Sequence, residues 1–448
     1  MTDVAPSDVA IVGCGPVGAL LANLLGQAGL AVDIYDRERD IYPLPRAVHF
    51  DGEVMRIFQS AGLADRIAAA TRPSPYGARY EEPSGRTLLV RRGSELPGPH
   101  GWSGSWYFHQ PELERILREG LVRFPNVRVH LGHEVTSVDE LDARYVVGCD
   151  GARSLVRRAI GSRQVDLGLH QPWLVVDVLA DPESPRTQAL PLHSLQFCDP
   201  ARPMTLVNVN GRRRRWEIML LPGDDPARMT EPEIFWPMIA RWLGPEDAEI
   251  ERSAVYTFHS VVQEGWRKGR LLLAGDACHQ TPPFLGQGMC TGMRDASNLA
   301  WKLVSVVRDG AADSLLDTYE SERLPHARAF IELAVRLGAV IQATDPTAVA
   351  DRNRRFAAGG TSFDFPQPGL GGTTPPVGTI FPQPRLPDGR LMDDAIGQRF
   401  AIVGETELLK HLRPDAVLLP GVGREWLVEK KVRAALLRPD RYIQAVAP

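Results

Sequence analysis

At 448 residues, 44% hydrophobic and 24% charged, the chain has the composition of an ordered globular protein, long enough for two or three cores at roughly 150 residues per domain. Fifty-one Lys+Arg against 55 Asp+Glu leave a net charge of −4, which offers no basic excess for nucleic acid or an anionic membrane and points to a small-molecule partner. No apolar run reaches the roughly 18 residues of a membrane span, "MTDVAPSD" lacks the basic and apolar regions of a signal peptide, and five cysteines without CxxC or metal-ligand spacing fit a reduced, cytoplasmic protein with no metal site.

The first forty residues read as strand, tight turn, helix, strand. Val9 to Val12 is a short continuous apolar run, as expected of a strand covered on both faces. Gly13, Gly15 and Gly18 form G-x-G-x-x-G: a tight turn, a close backbone approach to a pyrophosphate, and close helix–sheet packing. Leu20, Leu21, Leu24 and Leu25 give the helix its apolar face, and Gly29 ends it. The strand Ala31 to Tyr35 delivers Asp36, placed to accept hydrogen bonds from an adenosine ribose. That carboxylate disfavours a 2′-phosphate, so the fingerprint fits NAD or FAD better than NADP and leaves the choice between the first two open.

Two later motifs follow the same strand-to-loop pattern. In "ARYVVGCDGARSLVRRAI" a strand over Tyr145 to Val147 runs into Asp150, Gly151 and Arg153 and then a basic helix. In "LLLAGDACHQTPPFLGQGMCTG" a strand over Leu271 to Leu273 ends at Gly275 and Asp276, passes through Pro282 and Pro283, and enters a helix near Gly288. The loop is rich in glycine and proline, as a backbone wall against a flat ligand requires. Three strand ends thus serve one elongated ligand.

Between these motifs, residues 166 to 262 change to short segments such as "WLVVDVLA", "MTLVNVN" and "RWEIMLLP" broken by Pro and Gly, which predicts an antiparallel sheet of short strands. Arg212 to Arg215 follow Gly211 and read as solvated arginines of a hairpin turn. Residues 314 to 342 carry helical periodicity, with Pro325 expected to start a new helix. A Pro/Gly linker follows, and then a strand "FAIVG" and a helix near "ETELLKHL" in a tail without cysteine, which excludes dithiol chemistry there.

The three motifs, in this order, resemble the group A FAD-dependent aromatic hydroxylases of the para-hydroxybenzoate hydroxylase fold, with "FHSVVQEGWRKGRLLLAGDACHQTPPFLGQGMCTGMRDASNLAWKL" closest to the 3-(3-hydroxyphenyl)propionate hydroxylase branch. The resemblance implies an α/β protein: a Rossmann-like FAD-binding domain with a parallel sheet (1–75, 101–165, 263–345), an interleaved antiparallel-sheet substrate domain (76–100, 166–262), a helix end and linker (346–390), and a short thioredoxin-like C-terminal region (391–448). It implies FAD, NADH or NADPH as transient co-substrate, O₂, and a small phenolic or other electron-rich aromatic substrate, hydroxylated through a C4a-hydroperoxyflavin. A homodimer is a further expectation.

By the same resemblance Asp36 binds the adenosine ribose, Arg46 and Gln110 contact FAD, and Asp150 and Arg153 serve both FAD and the nicotinamide nucleotide. Asp276, beside Gly275, holds the ribityl and phosphate region; the backbone of Pro283, Gly286 and Gly288 lines the isoalloxazine, and the amides of Met289 and Cys290 face its N1–C2=O edge. Candidate substrate residues are His49, His193, Gln196 and Tyr256, with His49 first as an acceptor of the phenolic proton because it follows Arg46 on the segment flanking the ring. His279 reads as structural. Two alternatives remain: a Baeyer–Villiger outcome and a non-catalytic FAD-binding protein. A flavin halogenase is opposed by the lack of a W-x-W-x-I-P segment.

Overall fold

The apolar runs of the three motifs are neighbouring strands of one sheet. In the computed structural model, which describes residues 6–358, 365–367 and 369–448, a six-stranded sheet runs in the order Arg267–Lys268, Leu271–Leu273, Ala143–Gly148, Ser7–Val12, Val32–Asp36, Val127–Leu131. All pairings are parallel except that of the edge hairpin strand Arg267–Lys268. Because the strands are parallel, their C-terminal ends share one edge. Registers Val12↔Tyr35, Val12↔Gly148 and Leu273↔Gly148 bring the Gly13, Asp36, Asp150 and Asp276 loops side by side there. Helices Pro16–Gln27, Gln110–Leu121 and Gly288–Val307 cover this sheet and share its apolar core.

An eight-stranded sheet joins it, in the order His279–Gln280, Ala248–Glu264, Arg163–Ala180, Arg213–Met219, Met204–Asn208, Ser194–Phe197, Ala78–Glu81, Thr87–Arg91. Its strands are antiparallel except for the parallel pair Ser194–Phe197 and Ala78–Glu81. The expected short strands are not all short. Arg163–Ala180 and Ala248–Glu264 run for 18 and 17 residues, with a register irregularity between Asp166 and His170 that absorbs Gly168. A bulge lets a strand bend without ending, so glycine inside these runs does not break them.

One face of this sheet packs Leu195, Leu206, Trp216 and Val176 against Phe235, Trp236 and Ile239 of helix Pro232–Ile239. On the other face, Tyr80 and Trp173 meet Phe284 and Leu285 of the glycine- and proline-rich loop. A three-stranded sheet, His49–Asp51 with Ser105–Tyr107 and Arg72–Pro73, closes the space between the two large sheets.

Pro325 does not start a helix. It lies inside the continuous helix Thr318–Ile341, where its missing N–H leaves a backbone carbonyl without its usual donor. That carbonyl belongs to Ser321, and Gly371 packs on it so closely that an added Cβ would lie 2.2 Å from its oxygen, while Gly371 N–H donates to the neighbouring Glu322 carbonyl at 3.1 Å.

Of the expected linker, residues 359–364 and 368 lie outside the described residues, while Phe381 is fully buried and Gln383 N–H donates to the Pro99 carbonyl at 2.7 Å. From Phe381 to Gln383 the chain is a strap built into the core. The tail beyond it forms a four-stranded sheet, Val417–Pro420, Ala401–Gly404, Ala434–Leu437, Ile443–Ala447, with one parallel and two antiparallel pairings, as in a thioredoxin-like fold.

Buried charges fasten this tail to the rest. Arg56 holds Asp393 through Nε at 2.7 Å and Nη2 at 3.0 Å, and Arg441 approaches the same carboxylate at 3.0 Å. Burial works against the Asp393 carboxylate, but Arg441 and Arg56 override it and its pKa falls to about 2. A depressed native pKa adds stability above the unfolded pKa, near pH 4, that is lost as the pH falls toward the native value. The difference in melting temperature between wild type and Asp393→Asn is therefore expected to shrink between about pH 5 and pH 2; a constant difference across that window contradicts the pairing.

Candidate active site

The cleft opens at the shared edge of the parallel sheet. Gly13 N–H donates to the Tyr35 carbonyl at 2.7 Å, Cys149 N–H to Val12 at 2.8 Å and Ala274 N–H to Gly148 at 3.0 Å, which locks the three motif turns together. The fingerprint is tight at its base and open at its mouth: a Cβ on Gly18 would lie 2.0 Å from the Gly13 oxygen, whereas one on Gly15 would meet nothing within 4 Å.

Two helices point bare N-termini at this opening. Neither Pro16–Gln27 nor Gly288–Val307 has a side-chain cap, although a helix leaves its first amides without intrahelical partners. In the second, the amides of Gly288, Met289 and Cys290 precede the first intrahelical bond, Thr291 N–H to the Gln287 carbonyl at 2.9 Å. Val17 of one helix packs against Gly292 of the other, where an added Cβ would sit 2.7 Å from Val17, so the first turns of the two helices lie together.

The acids around the opening are also incompletely partnered. Asp150 accepts from Leu155 N–H at 2.6 Å and Val156 N–H at 3.3 Å through Oδ2, while its buried Oδ1 has no hydrogen-bond partner. Asp276 is solvent-exposed yet set deep among protein atoms, because it lines the cleft. Burial there raises its pKa, against the charges of His279 and Arg46, and among the described residues nothing hydrogen-bonds its carboxylate. Asp36 accepts from Cys14 N–H at 2.7 Å and Glu38 N–H at 2.9 Å and is half-buried at the strand end. Two open anion-binding helix ends, a carboxylate at the second strand end and unpaired acids beside them fit an elongated dinucleotide of the FAD type.

Other residues hold the rim. Gln110 accepts from the amides of Arg46 at 2.9 Å and Ala47 at 2.7 Å, and Arg215 donates to the carbonyls of Pro45 at 2.7 Å and Arg46 at 2.8 Å. The Arg46 loop is gripped from two sides while its side chain stays exposed. Arg215 is thus no solvated turn residue. It is buried and paired with Asp177, at 2.7 Å from Nε, because the Asp177 carboxylate and two backbone carbonyls supply the acceptors that solvent otherwise would. Arg153 is exposed, near the Asp150 turn.

The glycine- and proline-rich loop lies beside His49. A Cβ on Gly286, whose φ is +64°, would fall 2.9 Å from His49 Nδ1, so the loop can approach this closely only as glycine. His49 Nδ1 lies 3.4 Å from the Gly286 carbonyl and Nε2 2.9 Å from Ser105 Oγ. A carbonyl only accepts, so Nδ1 carries the hydrogen and Nε2 accepts from the serine hydroxyl. Burial lowers the His49 pKa, opposed by the Asp51 charge, and the ring is neutral at pH 7. Cys290 is buried, its thiol pKa pushed up by burial, with Sγ 3.5 Å from the Gly286 oxygen.

Of the other expected substrate residues, only Gln196 points into the space facing this loop; its Oε1 accepts from Thr205 Oγ1 at 2.6 Å. His193 alternates to the opposite side, where burial and Arg79 lower its pKa. Tyr256 sits with Arg252 and the Arg46 loop, its hydroxyl 3.3 Å from Arg252 Nη1. His279 is buried, with Nε2 2.7 Å from Asp295, which also accepts from Gly275 N–H at 3.3 Å.

The residue that sequence reasoning missed is Arg294. Buried in the helix that starts at Gly288, it donates to Glu53 at 2.6 Å, Asp51 at 2.5 Å and the Gln287 side chain at 3.2 Å. Burial opposes the Asp51 carboxylate, yet Arg294 brings its pKa down to about 2.

Residues 6–334 match the family model described as FAD binding domain. The chain belongs to the FAD-dependent aromatic hydroxylases. It is 36% identical to a probable NADH-specific resorcinol 4-hydroxylase of Rhodococcus jostii strain RHA1, across 98% of this chain and 92% of that protein. It is 35% identical to a 3-(3-hydroxy-phenyl)propionate/3-hydroxycinnamic acid hydroxylase of Mycobacterium sp. strain JLS, across 90% of this chain and 76% of that one. Among solved structures, p-nitrophenol 4-monooxygenase PnpA from Pseudomonas putida DLL-E4 superposes with a TM-score of 0.69 at 25% identity, covering 80% of this chain and 95% of that one. An aklavinone-11 hydroxylase in complex with FAD and aklavinone shares the fold, with a TM-score of 0.78 at 22% identity, covering 100% and 96%. Among the described residues no helix is long and apolar enough to cross a membrane.

Replacing Arg294 by Met leaves two buried carboxylates without their cation. It is expected to cost about 3–5 kcal/mol in urea unfolding, whereas a loss below about 1 kcal/mol would place the residue outside the load path.

Proposed function

We propose that this aromatic hydroxylase acts on a phenol, with NADH as reductant, in the balance ArH + NADH + H⁺ + O₂ → ArOH + NAD⁺ + H₂O. The observation that carries the site assignment is the pair of uncapped helix N-termini opening on one cleft beside the partnerless Asp150 oxygen and the Asp276 carboxylate. FAD bound there supplies the hydride acceptor and the oxygen activation. The protein supplies position, a dry pocket and electrostatics.

In this reading the Gly15 and Pro16 end, with Arg46, would hold the pyrophosphate, Asp36 would hold the ribose, and Asp276 the ribityl chain. Asp150 and Arg153 stand where the nicotinamide nucleotide passes. The loop Pro283–Gly288 would wall the isoalloxazine, and the amides of Met289 and Cys290, reinforced by their helix dipole, would favour negative charge beside them. His49, neutral and linked to Ser105, accepts the phenolic proton through that hydroxyl, which makes the ring a better nucleophile. The NADH assignment is supported by the name of the Rhodococcus relative. The five free cysteines support a reducing, cytoplasmic setting.

The test is NADH oxidation over a panel of phenols with product analysis and a parallel peroxide assay. Stimulation by a phenol with an added ring hydroxyl in the product supports the reading; stimulation with stoichiometric peroxide and unchanged phenol contradicts it. Asp276→Ala is expected to lose most bound FAD, read from the flavin absorbance per chain, and wild-type occupancy would refute the role of that carboxylate. His49→Asn is expected to lower kcat by about 10²-fold while FAD occupancy stays at the wild-type level; an unchanged kcat removes His49 from proton transfer.

A further inference from the structure

Asp276 takes no part in building the turn that carries it. Among the described residues nothing hydrogen-bonds its carboxylate, so its direction is set by the backbone of Gly275–Ala277. That backbone is a single 3-10 turn, closed by Cys278 N–H donating to the Gly275 carbonyl at 2.7 Å. One such bond is a weak restraint, because 3-10 geometry is poorer than that of an α-helix. Helix Gly288–Val307 lies against the turn: a Cβ on Gly292 would sit 3.0 Å from the Gly275 Cα.

The same helix grips the turn with a buried acid. Asp295 is fully buried, and three donors converge on it. Its Oδ2 accepts from Gly275 N–H at 3.3 Å and from His279 Nε2 at 2.7 Å, one residue before Asp276 and three after it. Its Oδ1 accepts from Arg323 Nε at 3.0 Å, in helix Thr318–Ile341. The backbone of His279 is paired in turn with Val262 of the long strand Ala248–Glu264. Burial opposes the Asp295 charge, yet His279 and Arg323 bring its pKa below the usual carboxylate range. Its neighbour Arg294 leaves the helix toward Asp51 and Glu53, so consecutive residues hold the His49 strand and the Asp276 turn.

We propose that Asp295, clamped by Arg323, is the positioning residue for Asp276. By fixing Gly275 and His279 on either side of it, Asp295 aims the Asp276 carboxylate into the cleft. Asp295 has no exposed surface of its own with which to touch a cofactor, so it acts only through the turn. This rests on the reading above in which Asp276 holds the ribityl chain of FAD, and it adds the buried group on which that contact depends. No amide can replace the acid: in Asp295→Asn one oxygen becomes an NH₂ that faces a donor whichever way the side chain turns.

The experiment is a double-mutant cycle on the Kd for FAD, titrated into the deflavinated full-length protein. Asp295→Asn is expected to raise Kd about 10–100-fold, the loss that follows when a hydrogen bond to a charged group fails. In an Asp276→Ala background the same substitution changes Kd by less than about threefold, because the carboxylate it acts through is gone. His279→Ala keeps the acid, drops one donor, and raises Kd by about 3–10-fold. Asp393→Asn, which takes another buried acid from its arginines in the C-terminal region, leaves Kd at the wild-type value and so separates lost positioning from lost stability. Wild-type affinity in Asp295→Asn or His279→Ala, an equal rise in Asp393→Asn, or an effect of Asp295→Asn that persists undiminished without Asp276 overturns the positioning role and leaves the cofactor reading standing. Wild-type affinity in Asp276→Ala defeats the cofactor reading, and the positioning role with it.

Discussion

Three acceptors on a single buried guanidinium organise this molecule. Arg294 connects Asp51, which ends the strand that carries His49; Glu53, in the first turn of the next helix; and Gln287, which precedes the helix aimed at the cleft. Glu53 in turn accepts from the Tyr442 hydroxyl of the C-terminal sheet at 2.9 Å. Parts of the chain far apart in sequence thus meet at one cation. Two carboxylates on one guanidinium are affordable in a buried site only because every partner is hydrogen-bonded, and that requirement fixes the distance between the loop at Gly286 and the ring of His49. The C-terminal region, without cysteine, has its structural meaning here: Arg56, Asp393 and Arg441 seat it behind the same helix.

Around that anchor the two large sheets divide the labour. The parallel sheet brings its loops to one edge because parallel strands end on the same side, and that edge leaves backbone amides and acids without internal partners. The antiparallel sheet is apolar on the face packed against helix Pro232–Ile239 and mixed on the other, which carries Tyr80 and Trp173 as well as Gln196 and Thr205. Its long strands Arg163–Ala180 and Ala248–Glu264 extend alongside both regions, so the wall of the pocket and the floor of the cleft share continuous backbone. On the mixed face Arg215 is turned to bracing the Arg46 loop.

Much of this was legible in the chain. The three glycine-marked turns could be read because each follows a short apolar run, and backbone approach demands glycine whatever the rest of the fold. Helical periodicity marked residues 314 to 342, though not that one helix runs through Pro325. What stayed hidden depends on partners distant in sequence. Arg294 in "MRDASNL" and Arg215 in "RRRRW" look like ordinary solvated charges, and only Glu53 and Asp177, hundreds and tens of residues away, make them interior. Pro325 misled because the helix runs on through it, with Gly371, far along the chain, packed on the Ser321 carbonyl that loses its donor. His193 missed the pocket by one position, since a strand sends Ser194 and Gln196 to one face and their neighbour to the other.

The central claim is that the cleft floor is preformed for a flavin, with its ring against the bare end of the helix that Arg294 holds. A crystal structure of the FAD-loaded protein tests it most directly. The account predicts the ring against the Pro283–Gly288 backbone, its pyrimidine edge at the Met289 and Cys290 amides, and its ribose at Asp36, with the Arg294 contacts unchanged. A ring bound away from that helix end, or an Arg294 cluster that rearranges to admit it, would contradict the claim.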